Sequence, residues 1–140
     1  MTGKKAKPKV KAPAGPAPKL DKGTQLKRVR AICGSIAGTV EKLSHGAPTF
    51  FSPDRVYLMF VDNHHDDGHV AVWIPAAAGV QAALIEEAPD TYYRPPYVGV
   101  NGWVGVELKK VDDEQLGALI REAFRIIDAK AARGSSKRKR

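Results

Sequence analysis

The sequence predicts an α+β fold: an antiparallel sheet of about four strands packed with two to three helices, flanked by basic tails. Three observations lead there. Apolar residues recur every third or fourth position in some windows and every second position in others. The alternating windows are joined by short turns rich in Pro, Asp, Asn and Gly, which favour hairpins and so antiparallel pairing. Both ends of the chain lack apolar periodicity altogether.

The first helix is expected from Thr24, a candidate N-cap, with Leu26, Val29, Cys33, Ile36 and Val40 on its apolar face. Gly34 and Gly38 argue that it ends near them. Three strand candidates follow. "PTFF" precedes the turn Ser52–Asp54, "RVYLMFV" spans Arg55–Val61, and "HVAVWI" spans His69–Ile74 with Val70, Val72 and Ile74 on one face. Pro75 ends the last of these, because it cannot donate to the ladder. A second helix is expected over Gly79–Ala88, stopped by Pro89. A loop then leads into a strand over Gly102–Leu108. In the last helix Asp112 is the cap, Gln115 stands at the capping-box position, and Leu116, Leu119, Ile120, Ala123, Phe124 and Ile127 form the buried stripe. The predicted order is helix, three strands, helix, strand, helix.

With 140 residues, the chain is expected to hold one domain, 23–132, between disordered basic tails at 1–22 and 133–140. "KKAKPKVKAPAGPAPK" and "RGSSKRKR" are the tracts that suggest the tails: proline and like charges oppose a packed core. The net charge of +8 is unevenly placed. Residues 1–30 hold ten Lys/Arg against one acid, residues 130–140 hold six against none, and residues 31–129 hold seven against fourteen. The ends therefore carry +9 and +6, and the body −7. No apolar run approaches the roughly 20 residues of a membrane span, and the single cysteine excludes an internal disulfide. A cytoplasmic protein without membrane contact is expected.

"DNHHDDGH", Asp62–His69, gathers three of the four histidines. Zinc sites use such residues in tetrahedral geometry. However, adjacent His64 and His65 on extended backbone point to opposite faces, and Asp67-Gly68 is a strong hairpin-turn pair. A solvated loop is preferred, with no metal and no cofactor. His45, in "SHGAPTFF", is read either as a loop residue or as part of a pocket. No Walker loop, dinucleotide fingerprint or nucleophile elbow is present. Cys33 lies on an apolar helix face, where a thiolate is disfavoured. No catalytic residues are assigned, and the chain is read as a non-enzyme.

Leu43-Ser44-His45-Gly46-Ala47-Pro48-Thr49-Phe50, His64-His65-Asp66-Asp67-Gly68, Ala71-Val72-Trp73, Pro95-Pro96-Tyr97-Val98-Gly99 and Gly102-Trp103-Val104-Gly105-Val106 match a set of family motifs. Through them the chain resembles the MmcQ/YjbR-like family over about Leu26–Ala132. The resemblance implies a CyaY-like, double-wing fold and a DNA-binding label that rests on fold analogy. Asn101 and Phe124 depart from the family, where a basic residue and a tyrosine are common.

Two sets of binding residues follow. The basic ends suggest nonspecific contact with DNA or RNA through Lys4, Lys5, Lys7, Lys9, Lys11, Lys27, Arg28, Arg30, Lys137, Arg138, Lys139 and Arg140, because cationic arms gain affinity by releasing counterions. The acidic body binds phosphate only if Arg55, Arg94, Lys109, Lys110 and Arg125 cluster. Alternatively, a small-ligand or partner pocket near the Pro95–Gly99 loop is expected, with His45, Arg94, Tyr97 and Trp103 as its residues. Trp103 is expected mainly to pack. A monomer is favoured, although no sequence feature sets the oligomeric state.

Overall fold

The computed structural model describes residues 17–138. Helix α1 covers Thr24–Gly34 and ends where its glycine suggests. Its start differs from expectation. Thr24 is the first helical residue and makes no cap; Gly23 takes the left-handed conformation before it, at φ 107°. The orphan amides of Gln25 and Leu26 donate to the Asp21 carboxylate at 3.0 and 3.1 Å. A carboxylate is a stronger acceptor than a hydroxyl, so Asp21 displaces Thr24 from the role.

The sheet has six strands rather than four: β1 (Val40–Ser44), β2 (Ala47–Phe51), β3 (Val56–Asp62), β4 (Val70–Ile74), β5 (Tyr92–Tyr93) and β6 (Val104–Glu107). All pairs are antiparallel, in the order β1-β2-β3-β4-β6-β5. The two additions are the edge strands. Val40, expected on the face of α1, instead opens β1. Helix α2 covers Val80–Glu87, and α3 covers Asp113–Arg138. Helix α3 therefore continues through the start of the tail expected from residue 133. Asp112 caps it through the Gln115 amide at 2.8 Å, but the Gln115 side chain reaches the Tyr92 hydroxyl instead of closing a capping box.

Strand alternation decides what each face carries. Phe50, Leu58, Phe60, Val70, Val72, Ile74, Val104 and Val106 meet Val29 and Cys33 of α1 and Leu116, Ile120, Ala123 and Ile127 of α3. This is the main core. A bulge between Phe50/Phe51 and β3 shifts the register, pairing Phe51 with Val56. Such a shift exchanges the faces that neighbouring residues present. Tyr57 consequently enters the main core, edge-on to Phe124 with ring centroids 5.1 Å apart. Phe124 thus fills its place by packing and needs no hydroxyl. The opposite face carries a smaller cluster, Val61, Ala71 and Trp73 with Met59, Tyr93, Val98 and Trp103, to which no α-helix contributes among the described residues. That face holds the candidate site.

Candidate ligand groove

A groove of about 540 Å³ lies on the helix-free face of the sheet. Strands supply its floor: Ser44 from β1, Ala47 and Thr49 from β2, Met59 and Val61 from β3, and Trp73 from β4. The β3 bulge adds Val56. Three loops supply the rim, each with an aromatic ring: His45, His64 and Tyr97. None of these lining residues is Lys, Arg, Asp or Glu.

Local backbone chemistry presents each rim residue. Ser44 pairs with Ala47, leaving His45-Gly46 as a two-residue hairpin turn. Both residues have positive φ, 53° and 79°, as the turn that suits strand twist requires. Glycine tolerates this freely; histidine is held there at a cost.

Tyr97 has φ 66° and is 68% exposed. The Val98 amide donates to the Pro96 carbonyl at 2.6 Å across it, a tight three-residue turn of the strained hand. The third rim loop, Asn63–Gly68, has positive φ at Asn63, His65, Asp66 and Gly68. Asn63 organises it: its Oδ1 accepts the Gly68 amide at 2.8 Å, and its amide donates to the His69 carbonyl at 2.7 Å. Bulky residues rarely take this backbone region, and strain of this kind gathers at binding sites.

The rings form a connected wall. His64 meets Trp73 and Tyr97 edge-on, with centroids at 5.2 and 5.9 Å. His65 Nε2 lies 3.2 Å from the Tyr97 hydroxyl. Trp73 Nε1 donates to the Tyr93 hydroxyl at 2.8 Å, and Tyr93 stacks on His69 at 4.0 Å and 10°. His69 pairs in turn with Glu107. Burial pushes the Tyr93 hydroxyl up to about 12, so it stays a neutral acceptor. Gly105 makes room for this stack, since a Cβ there would fall 2.5 Å from the Tyr93 ring.

His64 Nε2 is buried and lacks a hydrogen-bond partner among the described residues. Desolvation lowers the pKa of His64, with repulsion from His65 adding to the effect. The imidazole is therefore neutral near pH 7. A groove without Lys, Arg, Asp or Glu, with four aromatic rings among its ten lining residues, suits a flat ring that can stack and offer a few polar edge atoms.

The four expected pocket residues divide evenly. His45 and Tyr97 line the groove. Arg94 is exposed and lays its stem over Gly99, and Trp103 packs into the interior, where its carbonyl accepts from Gln81. His64 and Trp73 were missing from the expected set. Trp73 was nevertheless signalled, because the alternation that sends Val72 and Ile74 to the core sends Trp73 the other way.

The Asp62–His69 stretch is a structured hairpin loop. Among the described residues, no group of three or more His, Cys, Asp or Glu side chains is placed to hold a metal.

The expected phosphate contacts also divide. Lys27 is exposed on α1. Arg28 is used inside the fold, donating to the carbonyls of Leu108 and Val111 at 2.7 and 2.8 Å, to Gln25 at 2.8 Å and to Asp113 at 2.7 Å. Arg30 pairs with Glu41, and Arg125 with Glu122. Lys137 and Arg138 lie on the last turn of α3. Lys4, Lys5, Lys7, Lys9, Lys11, Lys139 and Arg140 lie outside the described residues.

Comparison with known proteins supports the fold. The YjbR family model matches residues 34–126. The crystal structure of the Deinococcus radiodurans protein DR2400, a DUF419 domain, superposes with a TM-score of 0.64 at 18% identity, over 76% of this chain and 80% of that one. No curated protein matches the chain.

Proposed function

The chain belongs to the YjbR family, and from that premise we propose that it is a non-catalytic binding protein for single-stranded nucleic acid, DNA or RNA. An unpaired base occupies the groove, and the basic ends hold the phosphates. The observation that carries this reading is the uncharged aromatic groove, with its strained rim, on the helix-free face of the sheet. A flat ring fits it, whereas a phosphate finds no lining cation there. The Lys/Arg of the two ends supply the missing charge, Arg28 and Arg30 excepted because the fold already pairs them. Nucleic acid offers both chemistries in one partner, and an unstacked base is available only in a single strand. Single-strand binders combine stacking with phosphate neutralisation in this way.

A second reading is supported by the charge of the body. Residues 31–129 carry net −7, which favours a neutral planar small molecule in the groove without a polymer around it. No helix among the described residues is long and apolar enough to cross a membrane.

The two readings separate in a salt titration of the full chain with labelled oligonucleotides. Nucleic-acid binding by cationic ends requires log K to fall linearly with log salt, by roughly 0.7 per phosphate neutralised on a single strand. Binding that is absent or flat with salt leaves the small-molecule reading in place.

A further inference from the structure

The segment preceding α1 is tied to the rim of the groove. Asn63 Nδ2 donates to the Pro18 carbonyl at 2.8 Å. The amides of Leu20 and Asp21 donate to the two carboxylate oxygens of Asp62, at 2.7 and 3.0 Å. Lys19 stands between these anchored residues. The residues that hold it, Asp62 and Asn63, immediately precede His64, which lines the groove. Desolvation is the main cause of the lowered His64 pKa, and the charge of Lys19 is the smallest contributor.

The clamp is also built into the hairpin. Asn63, only 4% exposed, uses its Oδ1 to shape the loop and its Nδ2 to hold Pro18. Asp62 turns both carboxylate oxygens to the strap, each accepting one backbone amide. Asp62 and Asn63, at the start of the stretch read as a solvated loop, are therefore a clasp for the segment leading into α1.

We propose that the Asp62–Asn63 clasp completes the groove by docking Lys19 at its edge, so that the composite site takes one nucleotide: a planar ring in the groove and its phosphate at Lys19. This rests on the groove reading above and deepens it. The groove contains no lining cation, and the docked strap brings one. The shared chemistry is a ring bearing an anionic group, either as a free nucleotide or as one unit of a strand.

The test uses the isotope-labelled full chain, titrated by NMR with adenosine, adenosine monophosphate and a short oligoadenylate. The monophosphate should bind about two- to five-fold more tightly than adenosine, the gain a screened surface ion pair supplies. Lys19→Gln should remove that preference and leave adenosine binding unchanged. In a separate readout, the Leu20 and Asp21 amides should be protected from hydrogen exchange, and Asp62→Ala should remove both the protection and the phosphate preference. A preference that survives Lys19→Gln, or unprotected Leu20 and Asp21 amides in the unaltered chain, overturns the inference. Equal binding of adenosine and its monophosphate rejects the Lys19 role while keeping the groove. Failure of every probe to bind, with the amides protected, rejects the groove reading itself, and the composite site falls with it. Saturation by the monophosphate alone identifies a free nucleotide; tighter binding of the oligoadenylate identifies a strand.

Discussion

Replacing Arg28 with alanine should destabilise the fold without weakening nucleic-acid contact directly. The Arg28 side chain is 20% exposed, and its guanidinium makes four hydrogen bonds of 2.7–2.8 Å. Two of these satisfy the Leu108 and Val111 carbonyls, in the turn between β6 and α3. Hydrogen bonds to a charged donor each contribute about 1.5–3 kcal/mol. The Asp113 partner is 75% exposed and adds at most about 1 kcal/mol. One guanidinium serves all four acceptors, so the contributions do not sum, and water can reach part of the vacated site. A loss of about 2–4 kcal/mol is expected. Urea unfolding followed by tryptophan fluorescence measures it, with the exposed Lys27→Ala as the reference. A loss below about 0.5 kcal/mol, within the range of ordinary surface substitutions, together with weakened oligonucleotide binding, would show that Arg28 serves phosphates rather than the fold.

Further predictions test other parts of the structure. Gly105→Ala forces Tyr93 off the strand face and breaks its contact with Trp73; a stability loss of about 1–3 kcal/mol is expected, with a changed tryptophan emission as the readout. Cys33 is fully buried, and burial pushes its thiol up from 9.0 to about 11. The unfolded chain ionises first, so stability should fall as pH rises from 9.0 towards 11, and Cys33→Ala should remove that part of the decline in alkaline urea titrations. The lowered pKa of His64 acts in the other direction. Unfolding lets it take up a proton, so stability should drop as pH falls below about 6.5, and His64→Gln should flatten that limb.

The sheet and helices were legible where periodicity was strong. The runs at residues 55–61 and 69–74, the apolar stripe of α3 and its Asp112 cap all carry local signals. The edge strands carry none. Val40–Ser44 is almost wholly exposed, without alternation, and becomes a strand only by pairing with β2. Tyr92–Tyr93 is too short to show a period.

The site was legible in part for a related reason. The loop motifs pointed to His45 and Tyr97, because turn chemistry is local. The groove floor depends on which residues alternation sends away from the helices. Val70, Val72 and Ile74 mark the core face of β4 and Trp73 falls on the other, and the unbroken apolar run Tyr57–Val61 signals a strand covered on both faces. Arg28 shows the limit of charge counting, since a cation counted toward phosphate binding is occupied by backbone carbonyls 80 and 83 positions away. The clasp on Pro18–Asp21 joins segments over 40 positions apart and leaves no sequence signature.

The most direct measurement compares labelled single-stranded and duplex oligonucleotides by fluorescence anisotropy across a salt series, using the full chain and its Tyr97→Ala variant. Tyr97 is exposed, so its removal should leave the fold intact. The account predicts tighter binding of the single strand, a loss of about 1–3 kcal/mol in that affinity on Tyr97→Ala, and an unchanged salt slope from the basic ends. Equal affinity for single strand and duplex, unaffected by Tyr97→Ala, would contradict a base in the groove.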